Sequence, residues 1–240
     1  MLPLHTERFS IRRADERGAT QSAWLDSRHS FSFGDYIDPD QMGFRALRVI
    51  NEDLVQPREG FPAHEHRSIE IFTFVISGLL LHEDSLGNQQ LIRQGELQYM
   101  HAGSGMEHCE LNPSADEPAH FLQIWLQASE RATEPGYAKL DTSGSVVLDG
   151  LTLLASPNGE DGALKMEQKA EIHLGNLSAG KRLRIKANEA YPHYWVQMIK
   201  GRVALQNETI EAGDGFSCRA CGSLQLQAIE DAAFMLFRLM

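Results

Sequence analysis

Short alternating segments rich in Val, Ile, Leu and Phe run the length of this 240-residue chain, broken by clusters of Gly, Asn, Asp and Ser. A period of two residues puts apolar side chains on one face of a strand, and no sustained 3.6-residue period competes with it. The stretch SIEIFTFVISGLLLHEDSLGNQQLIRQGELQYMHAG, from Ser68, predicts strand, Gly78, strand, a hairpin turn at DSLGN, strand, Gly95 and strand. From Ala128 to Gly144 the sequence ASERATEPGYAKLDTSG loses apolar residues and gains Pro, Gly and charge, so a linker is expected there.

The segment beyond that linker repeats the one before it. FVISGLLLHEDSLGNQQLIRQGELQYM and VQMIKGRVALQNETIEAGDGFSC share the order strand, Gly, strand, turn, strand, Gly, acidic residue, strand. Gly78 thereby matches Gly201 and Gly95 matches Gly213, the two glycines being 17 positions apart in the first half and 12 in the second. The pattern predicts an all-β protein of two similar antiparallel barrels or jelly rolls in tandem, residues 1–130 and 131–240.

Composition narrows the classes of function. With 42% hydrophobic residues the chain can bury a real core. A formal net charge of −11 leaves no basic stripe for phosphates, which argues against direct contact with nucleic acid or an anionic membrane surface. No window approaches the roughly 20 apolar residues of a membrane span, and MLPLHTERFSIRRADERG lacks the apolar core of an export signal. Three cysteines make no disulfide framework, so the expected location is the cytoplasm.

Two pairs of residues carry candidate chemistry. His64 and His66 lie 14 and 12 residues before Gly78; His108 and Glu110 lie 13 and 15 after Gly95. Spacing of i, i+2 on a strand puts both side chains on one face, Cα atoms about 6.5 Å apart, with Cys109 on the other. Three imidazoles and a carboxylate suit iron, manganese, cobalt, nickel, copper or zinc, and a six-coordinate ion would keep about two positions open. The same offsets from Gly201 and Gly213 land on Ala187, Glu189, Leu226 and Ala228, so the second copy keeps the skeleton without the ligands. A lone HxH pair in an acidic chain is usually a solvated strand edge; the second pair shifts the balance toward a metal.

Other residues have plainer readings. Cys218 and Cys221 form a CxxC, but no second CxxC completes a zinc site and the motif does not open a helix. His82 and His101 are either partners that fix a ligand tautomer or solvent-facing strand residues. Gln123 and Trp125 alternate with apolar residues and face a barrel interior, as core or as pocket wall. His29, Phe31 and Phe33 are expected to pack the N-terminal segment onto the barrel, and His193 to be structural.

WLDSRHSFSFGDYIDPDQMGFRALRVIN at 24–51, HEHRSIEI, GELQYMHAGSGMEHCELNP and HFLQIWL together resemble the pirin family, whose members have two tandem cupin domains. The resemblance covers the N-terminal half by specific motifs and the C-terminal half by architecture. It implies a metal-binding N-terminal cupin and a C-terminal cupin without ligands. The implied cofactor is one divalent transition metal, usually Fe(II), with Zn, Mn, Ni, Co or Cu as alternatives, held by His64, His66, His108 and Glu110. In cupins generally the carboxylate follows the HxH pair, which here is Glu70; pirins take it from the second motif, which favours Glu110. Two departures affect loop geometry: three residues rather than five separate Gly60 from His64, and His101 stands where proline is usual.

The resemblance also implies function. Several pirins are similar to quercetinases, dioxygenases that open the heterocycle of a flavonol such as quercetin with O2 and release CO. On that reading the partners are a small aromatic substrate and O2, and Glu110 is the catalytic base. The alternative is a non-catalytic, redox-sensing regulator acting through a protein partner. Sugar isomerisation, another cupin chemistry, would need a charged barrel lining, whereas the predicted lining is largely apolar.

Overall fold

The computed structural model describes residues 9–130 and 133–240, which form 22 strands and two three-residue 3-10 helices. Residues 1–8, part of the stretch read for an export signal, and residues 131 and 132, beside the expected domain boundary, lie outside the described residues. No helix among the described residues is long and apolar enough to cross a membrane.

In chain order the first strands are β1 (Phe9–Arg12), β2 (Gly18–Gln21), β3 (Leu25–His29), β4 (Leu47–Val55), β5 (Gly60–His66) and β6 (Ile69–Ser77). They continue as β7 (Leu79–Asp84), β8 (Gln89–Arg93), β9 (Glu96–His101), β10 (Met106–Leu111), β11 (Ala119–Gln127) and β12 (Gly136–Asp141). After these come β13 (Gly150–Ser156), β14 (Leu164–Lys165), β15 (Ala170–Leu177), β16 (Arg182–Ile185) and β17 (His193–Lys200). The chain ends with β18 (Arg202–Leu205), β19 (Glu208–Glu211), β20 (Gly215–Cys218), β21 (Leu224–Ala228) and β22 (Ala232–Leu239).

Two compact units share these strands, and they interleave along the chain. One comprises 17–145 and 154–168; the other comprises 146–153 and 169–240 together with residues 9–16. In the first, a sheet of order β12-β9-β6-β11-β4-β3-β2 is paired with one of order β5-β10-β7-β8. In the second, β1-β20-β17-β22-β15-β13 is paired with β16-β21-β18-β19. β1 pairs with β20, Phe9 opposite Cys218, which assigns the N-terminal strand to the second unit.

The predicted linker holds a strand. Residues Gly136–Asp141 pair antiparallel with β9 along its whole length. A polar composition is ordinary for an edge strand, and Lys139 Nζ anchors it on Glu96 and the Leu91 carbonyl.

The internal repeat is physical. Gly78 and Gly201 both adopt positive φ (78° and 72°) between paired strands. A Cβ on Gly78 would lie 2.4 Å from the Pro118 carbonyl oxygen, and one on Gly201 2.2 Å from that of Asp231. Each copy therefore needs the same residue for the same two reasons.

The interiors differ. In the second unit one apolar cluster includes Leu226 and Ala228, at the offsets of the missing ligands, and also Cys218 and Cys221. In the first unit Val75 and Phe121 lie in one apolar cluster and Ile71 and Met100 in another. Between them on the same strand faces lie Thr73 in β6, Gln123 in β11 and Gln98 in β9, as a period of two requires.

Candidate metal centre and its cavity

A polar row crosses the larger sheet of the first unit, strand by strand. His29 pairs with Asn51, Asn51 with Gln123, Gln123 with Thr73, and Thr73 with Gln98. All five are buried. Burying polar groups is costly unless they are partnered, and here the partner comes from the opposing sheet. Glu110, fully buried on β10, accepts hydrogen bonds from Thr73 Oγ1 (3.1 Å) and Gln98 Nε2 (3.0 Å) on Oε1, and from Gln123 Nε2 (2.6 Å) on Oε2. Charge-assisted bonds of this kind are the strong ones.

β10 runs between β5 and β7, and register sets the cluster. His108 lies opposite His64, and Glu110 opposite His82. The rings of His64, His66 and His108 have centroids 4.5 to 5.0 Å apart. A donor atom from each lies within 4.8 Å of the others, and the same holds for His82, His108 and Glu110. His108 thus belongs to both groups.

Hydrogen bonding fixes the tautomers. His64 Nδ1 is 2.7 Å from the Pro62 carbonyl, which only accepts, so Nδ1 carries the proton and Nε2 is bare. His82 donates from Nε2 to Asp84 Oδ2 at 3.1 Å, which leaves its Nδ1 to accept from His108 Nδ1 at 3.4 Å. His108 Nε2 is then bare as well, 3.1 Å from His64 Nε2. Two facing lone pairs repel unless a cation lies between them. The buried Nε2 of His66 has no hydrogen-bond partner. Burial, with help from neighbouring rings, holds His66 down to about 4 and His108 down to about 3, so both present neutral nitrogen at pH 7. Nitrogens 3.1 Å apart are spaced as ligands about 2.1 Å from one ion and roughly at right angles. The donor set fits a divalent transition metal.

Glu70 and His101 lie elsewhere. Both project from the face opposite Thr73 and Gln98, since they are three residues away on their strands. Glu70 Oε2 accepts from Tyr99 Oη at 2.7 Å and from the Glu167 amide at 2.9 Å. His101 Nε2 bonds Thr133 Oγ1. His82 is the histidine that backs His108, while His101 does not. Cys109 points outward beside Glu83. His193 Nδ1 accepts from the Ala220 amide at 3.1 Å, a structural role.

A cavity of about 290 Å³, at the small end for ligand sites, opens against the cluster. His64 and His66 form one side, and Leu25, Phe33, Phe61 and Trp125 give apolar walls. Trp125 meets His66 edge-on at 4.9 Å and Phe33 at 5.4 Å. His29 and Phe33 therefore do more than pack the N-terminal segment: both line this space. Thr73, Gln98, Asn51, Asp53 and Ser27 escape the sequence reading. For Thr73 and Gln98 the signal is a polar residue centred in an apolar stretch, IFTFV and ELQYM.

Fold and site define a two-barrel protein of cupin type whose first unit carries a candidate metal site. Residues 11–126 match the family model described as Pirin, and residues 153–239 match that described as Quercetinase C-terminal cupin domain. The chain is 37% identical over 229 residues to quercetin 2,3-dioxygenase of Escherichia coli strain K12, covering 95% of this chain and 97% of that protein. It is 39% identical over 216 residues to a putative quercetin 2,3-dioxygenase of Mycobacterium tuberculosis, covering 89% and 87%. The crystal structure of the bacterial pirin YhhW from Escherichia coli in complex with nickel(II) superposes with a TM-score of 0.91 at 36% identity, covering 97% and 99%. The chain belongs to the pirin family.

Proposed function

We propose that this protein is a metal-dependent dioxygenase that opens the heterocycle of a flavonol such as quercetin with O2 and releases CO. His64, His66, His108 and Glu110 are the proposed ligands, and Fe(II) the resident ion. The observation that carries the proposal is the meeting of three features: bare imidazole nitrogens, a buried carboxylate held by three donors, and an aromatic-walled cavity ending at the histidines. The name borne by the relative from Escherichia coli supports the substrate class. Three free thiols support a reducing, cytoplasmic setting.

When bound, the ion supplies Lewis-acid attraction for the 3-hydroxyl oxygen of the substrate and makes its proton easier to lose. Glu110 accepts that proton as general base. Thr73, Gln98 and Gln123 aim its carboxylate and keep it from swinging into the apolar clusters. Leu25, Phe33, Phe61 and Trp125 surround the ring system and exclude water from the electron-rich anion. In the overall reaction both oxygens of O2 enter the opened ester acid, carbon 3 leaves as CO, and Glu110 returns its proton to the product. A cavity that reaches the histidines supports this reading over the regulatory one.

The test is oxygen uptake and CO release with quercetin, using iron-reconstituted protein, metal-free protein and His64→Ala. Turnover that needs both metal and His64 is the expected result. One equivalent of bound metal without turnover would overturn the enzymatic reading and favour a regulator with a protein partner.

A further inference from the structure

Within the same cavity, β3 and β4 carry a polar wall that the steps above do not use. Ser27, His29, Asn51 and Asp53 line it, each at most 2% exposed. His29 and Asn51 are satisfied locally: Nδ1 lies 2.8 Å from Asn51 Oδ1, and Nε2 lies 2.9 Å from Thr20 Oγ1. Asp53 differs. The Ser27 hydroxyl donates to its Oδ1, and no other hydrogen bond to this carboxyl is found among the described residues. A carboxyl that lines a ligand-sized cavity with an oxygen left over orients a polar group on a ligand.

Which polar group follows from charge. A cation at the histidines disfavours a cationic ligand, and an anionic one would face a second carboxyl. A neutral hydroxyl avoids both. Burial holds the Asp53 carboxyl up to about 7, so near neutral pH it both accepts and donates hydrogen bonds, as a phenol does.

We propose that Asp53, oriented by Ser27, binds a phenolic hydroxyl of the aromatic substrate remote from the reacting one, and so selects hydroxylated rings over unsubstituted ones. The inference rests on the flavonol reading of the site. The buried pair works by the general rule that a site built to hydrogen-bond a substrate hydroxyl rejects the analogue lacking it.

The test compares quercetin with 3-hydroxyflavone, which lacks the remote hydroxyls, on metal-loaded protein. Dissociation constants come from fluorescence quenching without oxygen, and KM from oxygen uptake. Wild-type protein is expected to prefer quercetin, and Asp53→Leu to reduce that preference about tenfold, with Asp53→Asn restoring most of it. Ser27→Ala, a smaller perturbation, should lower the preference in the same direction. Equal weakening of both ligands, or an unchanged ratio in Asp53→Leu, overturns the inference. The two readings fail separately. Discrimination lost in Asp53→Leu without any oxygen uptake by wild type leaves Asp53 as a ligand-binding residue and removes the dioxygenase. Turnover with an unchanged ratio does the opposite.

Discussion

Replacing His82 by Phe tests whether the group behind His108 sets metal affinity. His82 is fully buried, and its ring stacks on Tyr137 with centroids 4.8 Å apart and planes 22° from parallel. Phe keeps a ring of similar size in that stack and removes only the polar contacts. Asp84 is not orphaned, because it still accepts from Asn88 Nδ2 at 2.8 Å and from the Leu86 and Asn88 amides at 3.0 Å. What is lost is the acceptor for His108 Nδ1, and with it the bond that keeps His108 Nε2 bare. Partners of metal-ligating histidines are worth about 10- to 100-fold in affinity. At 3.4 Å this bond is long, so the expected loss is about tenfold, or roughly 1.4 kcal/mol. Competition against a chromophoric chelator measures it, with a denaturant titration of the metal-free protein as control. A dissociation constant within twofold of wild type would show that His82 does not set the affinity. So would a loss of metal-free stability large enough to account for the whole effect.

Three further outcomes follow from the same geometry. Gln123→Leu removes the donor at 2.6 Å from Glu110 Oε2, and should destabilise the metal-free protein by about 1.5–3 kcal/mol, read as a denaturant midpoint. In metal-free protein, the folded values of about 4 for His66 and about 3 for His108 lie below the ordinary histidine value. Their neutral forms favour folding, so stability is intact above about pH 6.5 and falls by up to ~1.4 kcal/mol per pH unit for each histidine as pH drops toward those values. Asp53, held up to about 7, acts in the opposite sense, its contribution being lost as pH rises through that value. Asp53→Asn should therefore steepen the acid loss between pH 7 and 5; a flat profile in wild type would contradict the assignment. Gly78→Ala forces positive φ on alanine and a Cβ against the Pro118 carbonyl. A drop in Tm equivalent to more than about 1 kcal/mol is expected from the left-handed backbone alone.

Much of the barrel is legible in the sequence because a strand writes its buried face at period two. Gly78 and Gly201 are legible for a different reason, since no other residue tolerates their backbone and the close carbonyl beyond it. The three histidines can be found because i, i+2 spacing brings neighbours to one face. Two kinds of information are absent from any single segment. Register across strands decides that His64 meets His108 and that His82 meets Glu110, and it depends on β10 running between β5 and β7. Face parity relative to a partner sheet decides that Glu70 turns to Tyr99 while Thr73, three residues on, reaches Glu110. The linker reading errs because charge and proline mask an edge strand whose main-chain bonds need no apolar side chains. Thr73 and Gln98 are written as single polar residues inside apolar strands, which reads as noise until the strands are laid side by side.

The most direct test of the account is the effect of Glu110→Gln on quercetin binding and turnover, measured together with metal content. General base catalysis contributes about 10²- to 10⁴-fold. Protein that, once saturated with metal, binds quercetin within threefold of wild type and loses at least about a hundredfold in kcat would match the role assigned to Glu110. Equal loss of binding and turnover, or turnover that survives the substitution, would contradict it.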